Sequence, residues 1–136
     1  MAGWNDIVQT LMSPHTCKDL AILGHDGLVW GAYQLGFLKN VTPQEVTKVL
    51  GKDRDSLLIN GFCLGGERCS VIRDLMQEDG TLDARTKNSE GGTTYAVCLS
   101  KTSKTLVCAV AKEGTSGGVL KEAVKKITLY LQNSNY

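Results

Sequence analysis

Catalysis needs a nucleophile with a base, paired carboxylates, a metal cluster or a cradle for a cofactor. The chain has only two histidines, His15 and His25. Both lie near turn signals in an acidic part of the sequence, and we read them as surface or turn residues without a chemical role. Its five cysteines, Cys17, Cys63, Cys69, Cys98 and Cys108, are odd in number, and no two stand in C-x-x-C spacing. Neither a disulfide framework nor a zinc site is expected from them. Cys98 and Cys108 sit inside apolar runs and read as small core residues. The stretch Gly65-Gly66-Glu67-Arg68-Cys69-Ser70 lacks the G-x-x-x-x-G-K-[ST] pattern and does not open a helix, which excludes a P-loop. The pairs Gly91-Gly92 and Gly117-Gly118 read as turn glycines. No catalytic set emerges and no cofactor is expected. The residues point to a binding protein.

Charge says what such a protein could bind. The chain carries 15 Lys and Arg against 14 Asp and Glu, but unevenly. Up to Asp83 there are 7 basic and 11 acidic residues; from Ala84 onward there are 8 and 3. A basic excess this modest suits an acidic protein partner or an anionic lipid surface. No RNP-like or zinc-finger pattern argues for nucleic acid. No apolar run reaches the length of a membrane span, and residues Met1 to Asp6 lack the features of a signal peptide. A single cytosolic domain spanning residues 1–136 is the expectation.

The longest element lies at the end of the chain. Leu120, Val124, Ile127 and Leu131 recur at helical spacing, and Val119, Ala123 and Tyr130 form a neighbouring stripe, which predicts a helix with one broad apolar face. Lys121, Glu122 and Lys125 point away from that face. The helix follows a glycine-rich run and leads to Asn133-Ser134-Asn135-Tyr136. A closing tyrosine is idle on a disordered tail, but docked beside the helix it belongs to a surface.

The other elements follow in order. Trp4, Ile7, Val8 and Leu11 predict a short amphipathic helix, stopped by Ser13-Pro14. Leu20 to Leu23 reads as a buried strand, Asp26-Gly27 as a two-residue hairpin turn, and Leu28 to Tyr33 as the return strand. Thr42-Pro43-Gln44-Glu45 is a helix start with cap, proline and capping-box glutamate. The helix ends at Gly51. Ser56 to Phe62, Glu67 to Asp74, Leu82 to Lys87, Thr93 to Ser100 and Thr105 to Ala111 read as strands, separated by turns at Asn60-Gly61, Gly65-Gly66 and Asp79-Gly80. Short connections between successive strands make an antiparallel sheet, and the fold class is α+β. A single face of the central sheet can bury both terminal helices.

Taken together, the residues resemble an animal profilin over essentially the whole chain. The resemblance rests on Met1-Ala2-Gly3-Trp4-Asn5, Thr42-Pro43 with Glu45-Val46, Gly51-Lys52-Asp53-Arg54, and Asn60-Gly61 with Leu64-Gly65-Gly66. It continues in Cys69-Ser70-Val71-Ile72-Arg73-Asp74, Arg85-Thr86-Lys87, Lys104-Thr105-Leu106-Val107, and Lys112-Glu113-Gly114 with Gly117-Gly118. It implies a central antiparallel sheet with the N- and C-terminal helices packed on one face and shorter helices on the other, in a cytoplasmic, cytoskeletal, non-enzymatic protein that binds monomeric actin, the proline-rich segments of actin-assembly factors, and phosphoinositides.

Carried over residue by residue, the resemblance implies a proline-rich site at Trp4, Ile7, Trp30, Tyr130, Leu131, Ser134 and Tyr136. Flat aromatics suit a polyproline II ligand, since rings stack on rings while indole N–H and phenol O–H donate to carbonyls. It implies an actin surface at Leu58, Ile59, Arg68, Ser70, Val71, Arg73, Arg85, Lys87, Gly117 and Gly118. Arg68, Arg85 and Lys87 would also serve phosphoinositides, more weakly than in relatives, because Gln132-Asn133 stands where the family commonly has two arginines. The chain departs from the family at Ile7 and Tyr130, and at Thr115-Ser116, Lys121-Glu122 and Lys126. The last group predicts weaker actin binding. The alternative reading keeps the fold as a binder of proline-rich ligands or lipid with little actin function.

Overall fold

A computed structural model describes residues 3–12, 15–87 and 92–136. Its elements are α1 (Trp4–Leu11), β1 (Cys17–Gly24), β2 (Val29–Ala32), a 3-10 turn (Leu38–Asn40), α2 (Pro43–Leu50), α3 (Arg54–Asn60), β3 (Phe62–Leu64), β4 (Glu67–Leu75), β5 (Thr81–Thr86), β6 (Ala96–Lys101), β7 (Thr105–Ala111) and α4 (Gly117–Asn133). The seven strands form one sheet in the order β2-β1-β7-β6-β5-β4-β3, and every pairing is antiparallel.

Alternation along β7 shows how the layers divide. Leu106, Cys108 and Val110 project to one face, and Val107, Ala109 and Ala111 to the other. The first set meets Val46 and Val49 of α2 and Leu57 of α3. The second meets Val8 of α1 and Leu120, Val124, Ile127 and Leu131 of α4. The terminal helices therefore share one face and the short helices the other, as the sequence implied. Four of the five thiols, Cys17, Cys69, Cys98 and Cys108, are buried among these layers. Burial pushes the Cys69 and Cys98 thiols up to about 12, the state of packing residues and not of nucleophiles.

One strand expectation is overturned. Ser56 to Phe62 reads as a strand, yet Arg54–Asn60 is helical and only Phe62 belongs to a strand. The run Leu57-Leu58-Ile59 has strand propensity, but only Leu57 is buried, while Leu58 and Ile59 are 55% and 80% exposed. Side-chain bonds, both local and tertiary, decide in favour of the helix. Asp53 caps it by accepting from the Ser56 N–H at 3.1 Å. Arg54 donates twice to Asp74 of β4, at 2.8 and 2.7 Å, and also to the Val49 and Gly51 carbonyls. Gly61 then ends the helix at φ 71°, where a Cβ would strike the Cys69 carbonyl.

Smaller differences concern connections. The β1–β2 link runs from His25 to Leu28 and not through Asp26-Gly27 alone, because Asp26 accepts from the Leu28 N–H and Gly27 donates to the Gly24 carbonyl. β6 begins at Ala96 instead of Thr93. The capping box is present: Thr42 and Glu45 bond each other's N–H at 3.2 and 3.0 Å, and Glu45 also accepts from Gly65 and Gly66. The Ser13-Pro14 helix stop and Gly91 lie outside the described residues.

Asp19 is a buried acid that the sequence did not single out, 1% exposed in β1. It accepts from the N–H groups of Leu20, Phe37 and Leu38. Burial raises its carboxyl above the usual range, against the pull of those three donors. The bonds hold the start of the 3-10 turn, which leads from edge strand β2 to α2 and packs Leu38 in the same core as that helix.

The Arg54–Asp74 pair is largely withdrawn from solvent, its side chains 12% and 9% exposed. Removing one partner strands the other, so Arg54→Ala should cost about 3 kcal/mol in a denaturant melt at neutral pH. The Arg54 bonds hold Asp74 below the usual carboxylate range. Its stabilisation is thus complete above the unfolded value of about 4 and is lost as pH falls through the folded value. The stability gap between the protein and Asp74→Asn should narrow at low pH.

Candidate ligand-binding surfaces

Three aromatics meet at one end of the α1–α4 face. The ring centroids of Trp4 and Trp30 are 5.2 Å apart, Trp4 and Tyr136 5.0 Å, and Trp30 and Tyr136 5.8 Å, with interplanar angles from 56° to 81°. Edge-to-face packing of this kind fixes the rings while leaving part of each open, and all three are half-buried. The cluster draws on three distant segments: the start of α1, strand β2 and the residue beyond α4.

Each segment is held by a contact invisible to pattern reading. Asn5 of α1 accepts the Ala32 N–H of β2 at 3.0 Å. A Cβ on Gly31 would lie 2.6 Å from the Trp4 backbone, and one on Gly24 would lie 2.9 Å from Trp30 Nε1. These two glycines make room for the helix and the indole. The tail folds back because Asn135 adopts φ 70°, a conformation asparagine tolerates better than most residues. The Tyr136 N–H then donates to the Leu131 carbonyl at 2.9 Å. Its own main-chain oxygen accepts from the Lys104 N–H at 2.7 Å and the Thr102 hydroxyl at 2.9 Å. The Lys104 ammonium stands 5.8 Å from the Tyr136 ring centroid.

The other residues expected here divide. Leu131 is fully buried, so its side chain belongs to the core and its carbonyl positions Tyr136. Ile7 is half-buried on α1, and Ser134 and Tyr130 are exposed, Tyr130 outside the ring contacts of the trio. His25, read as idle, bonds the Thr102 and Thr105 carbonyls through Nε2 at 2.9 and 3.0 Å and so braces the turn that holds Tyr136.

The second surface arises because the helices do not cover the whole sheet. α4 crosses β6 and β7 and reaches β5, leaving the outer strands bare on that face. A register shift between Val71 and Arg73 sets Arg73 opposite Asp83, whose carboxylate bonds Lys121 of α4 at 3.2 Å. A concavity of about 770 Å³ is lined by Arg68, Ser70, Ile72, Arg85 and Lys87. A neighbouring one of about 390 Å³ adds Arg73, Gly117, Gly118 and Lys121. Arg68 donates to the Asn60 carbonyl at 2.6 Å, tying in the end of α3, whose Leu58 and Ile59 are exposed. Arg85 is steadied by the Thr94 hydroxyl and carbonyl. Val71 packs instead toward the α2–α3 core. Ile72, 65% exposed in the basic patch, was missed; strand alternation from buried Cys69 would have placed it outward.

Of the departing charges, only Lys121 lines this surface, and Asp83 pairs with it. Glu122 and Lys126 line a furrow on the α1 side of α4. Ser116 caps α4, accepting from the Val119 N–H. Among the described residues no cluster of three His, Cys, Asp or Glu is placed to hold a metal ion, and no helix is long and apolar enough to cross a membrane.

A single sheet with its terminal helices on one face and an aromatic trio between them defines a class, and sequence comparison agrees. The family model for Profilin matches residues 2–136. The chain is 43% identical to Profilin-1 of Homo sapiens, with both covered completely. It superposes on a crystal structure of human profilin II with TM-score 0.89 and 38% identity, covering 96% of this chain and 99% of that one. Mouse profilin IIa, solved in complex with a double repeat from the FH1 domain of mDia1, matches with TM-score 0.90 and 37% identity over 99% of this chain and 100% of that one. The chain belongs to the profilin family.

Since the Gly31 position abuts the Trp4 backbone, Gly31→Ala should displace α1 and cost about 1–3 kcal/mol. Thermal melting reads the loss, and altered tryptophan emission or near-UV circular dichroism reports the disturbed trio.

Proposed function

We propose that this protein binds monomeric actin and proline-rich segments of actin-assembly factors, and so regulates actin polymerisation in the cytoplasm and cytoskeleton. It does so as a binding protein, without catalysis. The observation that carries the proposal is the trio of Trp4, Trp30 and Tyr136, held half-open by bonds to its backbone. Such a platform suits a polyproline II chain, which is stiff before binding and offers flat rings and unpaired carbonyls. Trp4, Trp30 and Tyr136 stack on it, with Ile7, Tyr130 and Ser134 at the margins. The mouse relative solved with an FH1 repeat supports a peptide ligand.

Actin is assigned to the bare outer face of the sheet. Arg68, Arg73, Arg85 and Lys87 surround the apolar Ile72, with Gly117 and Gly118 at the border and Leu58 and Ile59 on α3. Basic side chains round an apolar centre suit an acidic protein partner. Because Asp83 partly neutralises Lys121, that departure from the family weakens actin binding less than the bare charge change implies. Phosphoinositides would share Arg68, Arg85 and Lys87, so lipid and actin should compete.

Two measurements check this reading. Trp4→Ala and Tyr136→Ala should each weaken a proline-rich peptide about thirtyfold in a tryptophan-fluorescence or calorimetric titration, the loss of a central anchor. In a monomer-sequestration assay, Arg85→Glu combined with Lys87→Glu should lower actin affinity about tenfold or more while leaving the peptide unaffected. Unchanged actin affinity in that double variant would sink the assignment of the sheet face.

A further inference from the structure

The buried stripe of α4 is narrower than its spacing predicts, since only Leu120, Val124, Ile127 and Leu131 are covered. Lys121, expected to point away from that face, instead leans over β5 and bonds the Asp83 carboxylate at 3.2 Å. Asp83 lies on the same side of the sheet as the basic patch. Its cross-strand neighbours are Arg73 of β4 and Cys98 of β6. Arg85 follows two residues along β5 and so projects to the same side. Burial first, and the Asp83 charge second, push the Cys98 thiol up to about 12. One carboxylate therefore stands among three cations.

The two concavities of this face differ in that respect. The smaller is lined by Arg73, Arg85 and Lys121, and Asp83 is its one acid among the described residues. The larger takes Arg68, Arg85 and Lys87, with Glu67 at its margin. Strand alternation with buried Cys69 turns the Glu67 side chain to the opposite face. The side chains of Lys121 and Asp83 are 19% and 25% exposed, so salt screens this pair less than it screens charges on the open rim. The two partners assigned to the face bring different charges to it. A phosphoinositide headgroup brings phosphates, all of them negative, whereas a protein surface brings both signs. A carboxylate among the cations repels the first and offers the second an acceptor for a lysine or arginine.

We propose that Asp83 is a specificity-determining residue of this face. It turns polyphosphate headgroups away from the smaller concavity and confines them to Arg68, Arg85 and Lys87. The smaller concavity stays open to a protein partner of mixed charge. The proposal rests on the assignment of actin and phosphoinositides to this face.

The test measures binding of the protein and of Asp83→Asn to monomeric actin and to phosphatidylcholine vesicles containing phosphatidylinositol bisphosphate. Asparagine keeps the shape of the side chain and can still accept from Lys121. Vesicle affinity should rise about fivefold, the effect of one charge at an anionic surface, while actin affinity should not rise. The control is Asp26→Asn, at an exposed acid of the β1–β2 link that lines neither concavity. Asparagine there keeps the bond to the Leu28 N–H. It changes net charge equally and should leave vesicle affinity nearly unchanged. A rise for vesicles and actin alike, an equal rise in Asp26→Asn, or no rise for vesicles would each overturn the proposal. Thermal melting of Asp83→Asn reads the weakened ion pair separately, since a merely structural role would lower Tm without tightening vesicle binding. If Arg85→Glu with Lys87→Glu leaves vesicle binding intact, the face is not the lipid site, a failure distinct from that of Asp83.

Discussion

Strand β7 is buried at every position from Thr105 to Ala111, and β1 at every position from Asp19 to Gly24. Central strands with two covered faces need apolar material on both sides, and neither a helix nor a sheet can supply that alone. The α2–α3 pair covers one face and the α1–α4 pair the other. Because the sheet is seven strands wide and α1 and α4 cover only part of it, the outer strands stay bare on that face. The two candidate surfaces are products of this mismatch: one where the terminal helices meet the edge strand β2, the other where their cover stops at β5.

The aromatic trio shows how a binding platform is kept from collapsing into the core. Rings left half-exposed would bury themselves if their backbones could move. Here Asn5 fastens α1 to β2, Gly31 lets the Trp4 backbone sit against the strand, and the Tyr136 main chain is tied at three points. The hydrogen bonds serve position more than stability. A rigid site meeting a stiff ligand loses little conformational freedom on binding.

Much of the fold was legible because its signals are local. Helix α2 follows from Thr42, Pro43 and Glu45, α1 and α4 from the spacing of their apolar residues, and β6 and β7 from their valines and leucines. α3 was not legible, since Leu57-Leu58-Ile59 has strand propensity, and the bonds that favour the helix include the ion pair from Arg54 to Asp74, twenty residues away. Asp19 was equally hidden, because nothing local distinguishes a buried acid from a surface one. In the site, the aromatics and the basic residues were named by resemblance; Leu131, which its spacing put on the apolar helix face and the resemblance put in the proline-rich site, is fully buried, and Ile72 was passed over.

The sequence by itself determined the absence of a recognisable catalytic pattern, the α+β class, the family resemblance and the residue types available for binding. These depend on composition, periodicity and motif, which are properties of neighbours along the chain. Tertiary structure alone decided that Trp4, Trp30 and Tyr136 share one platform, that a glycine must stand at position 31, and that Asp83 meets Lys121. Each of those depends on a distance between segments far apart in sequence, and such distances are set by how the layers pack.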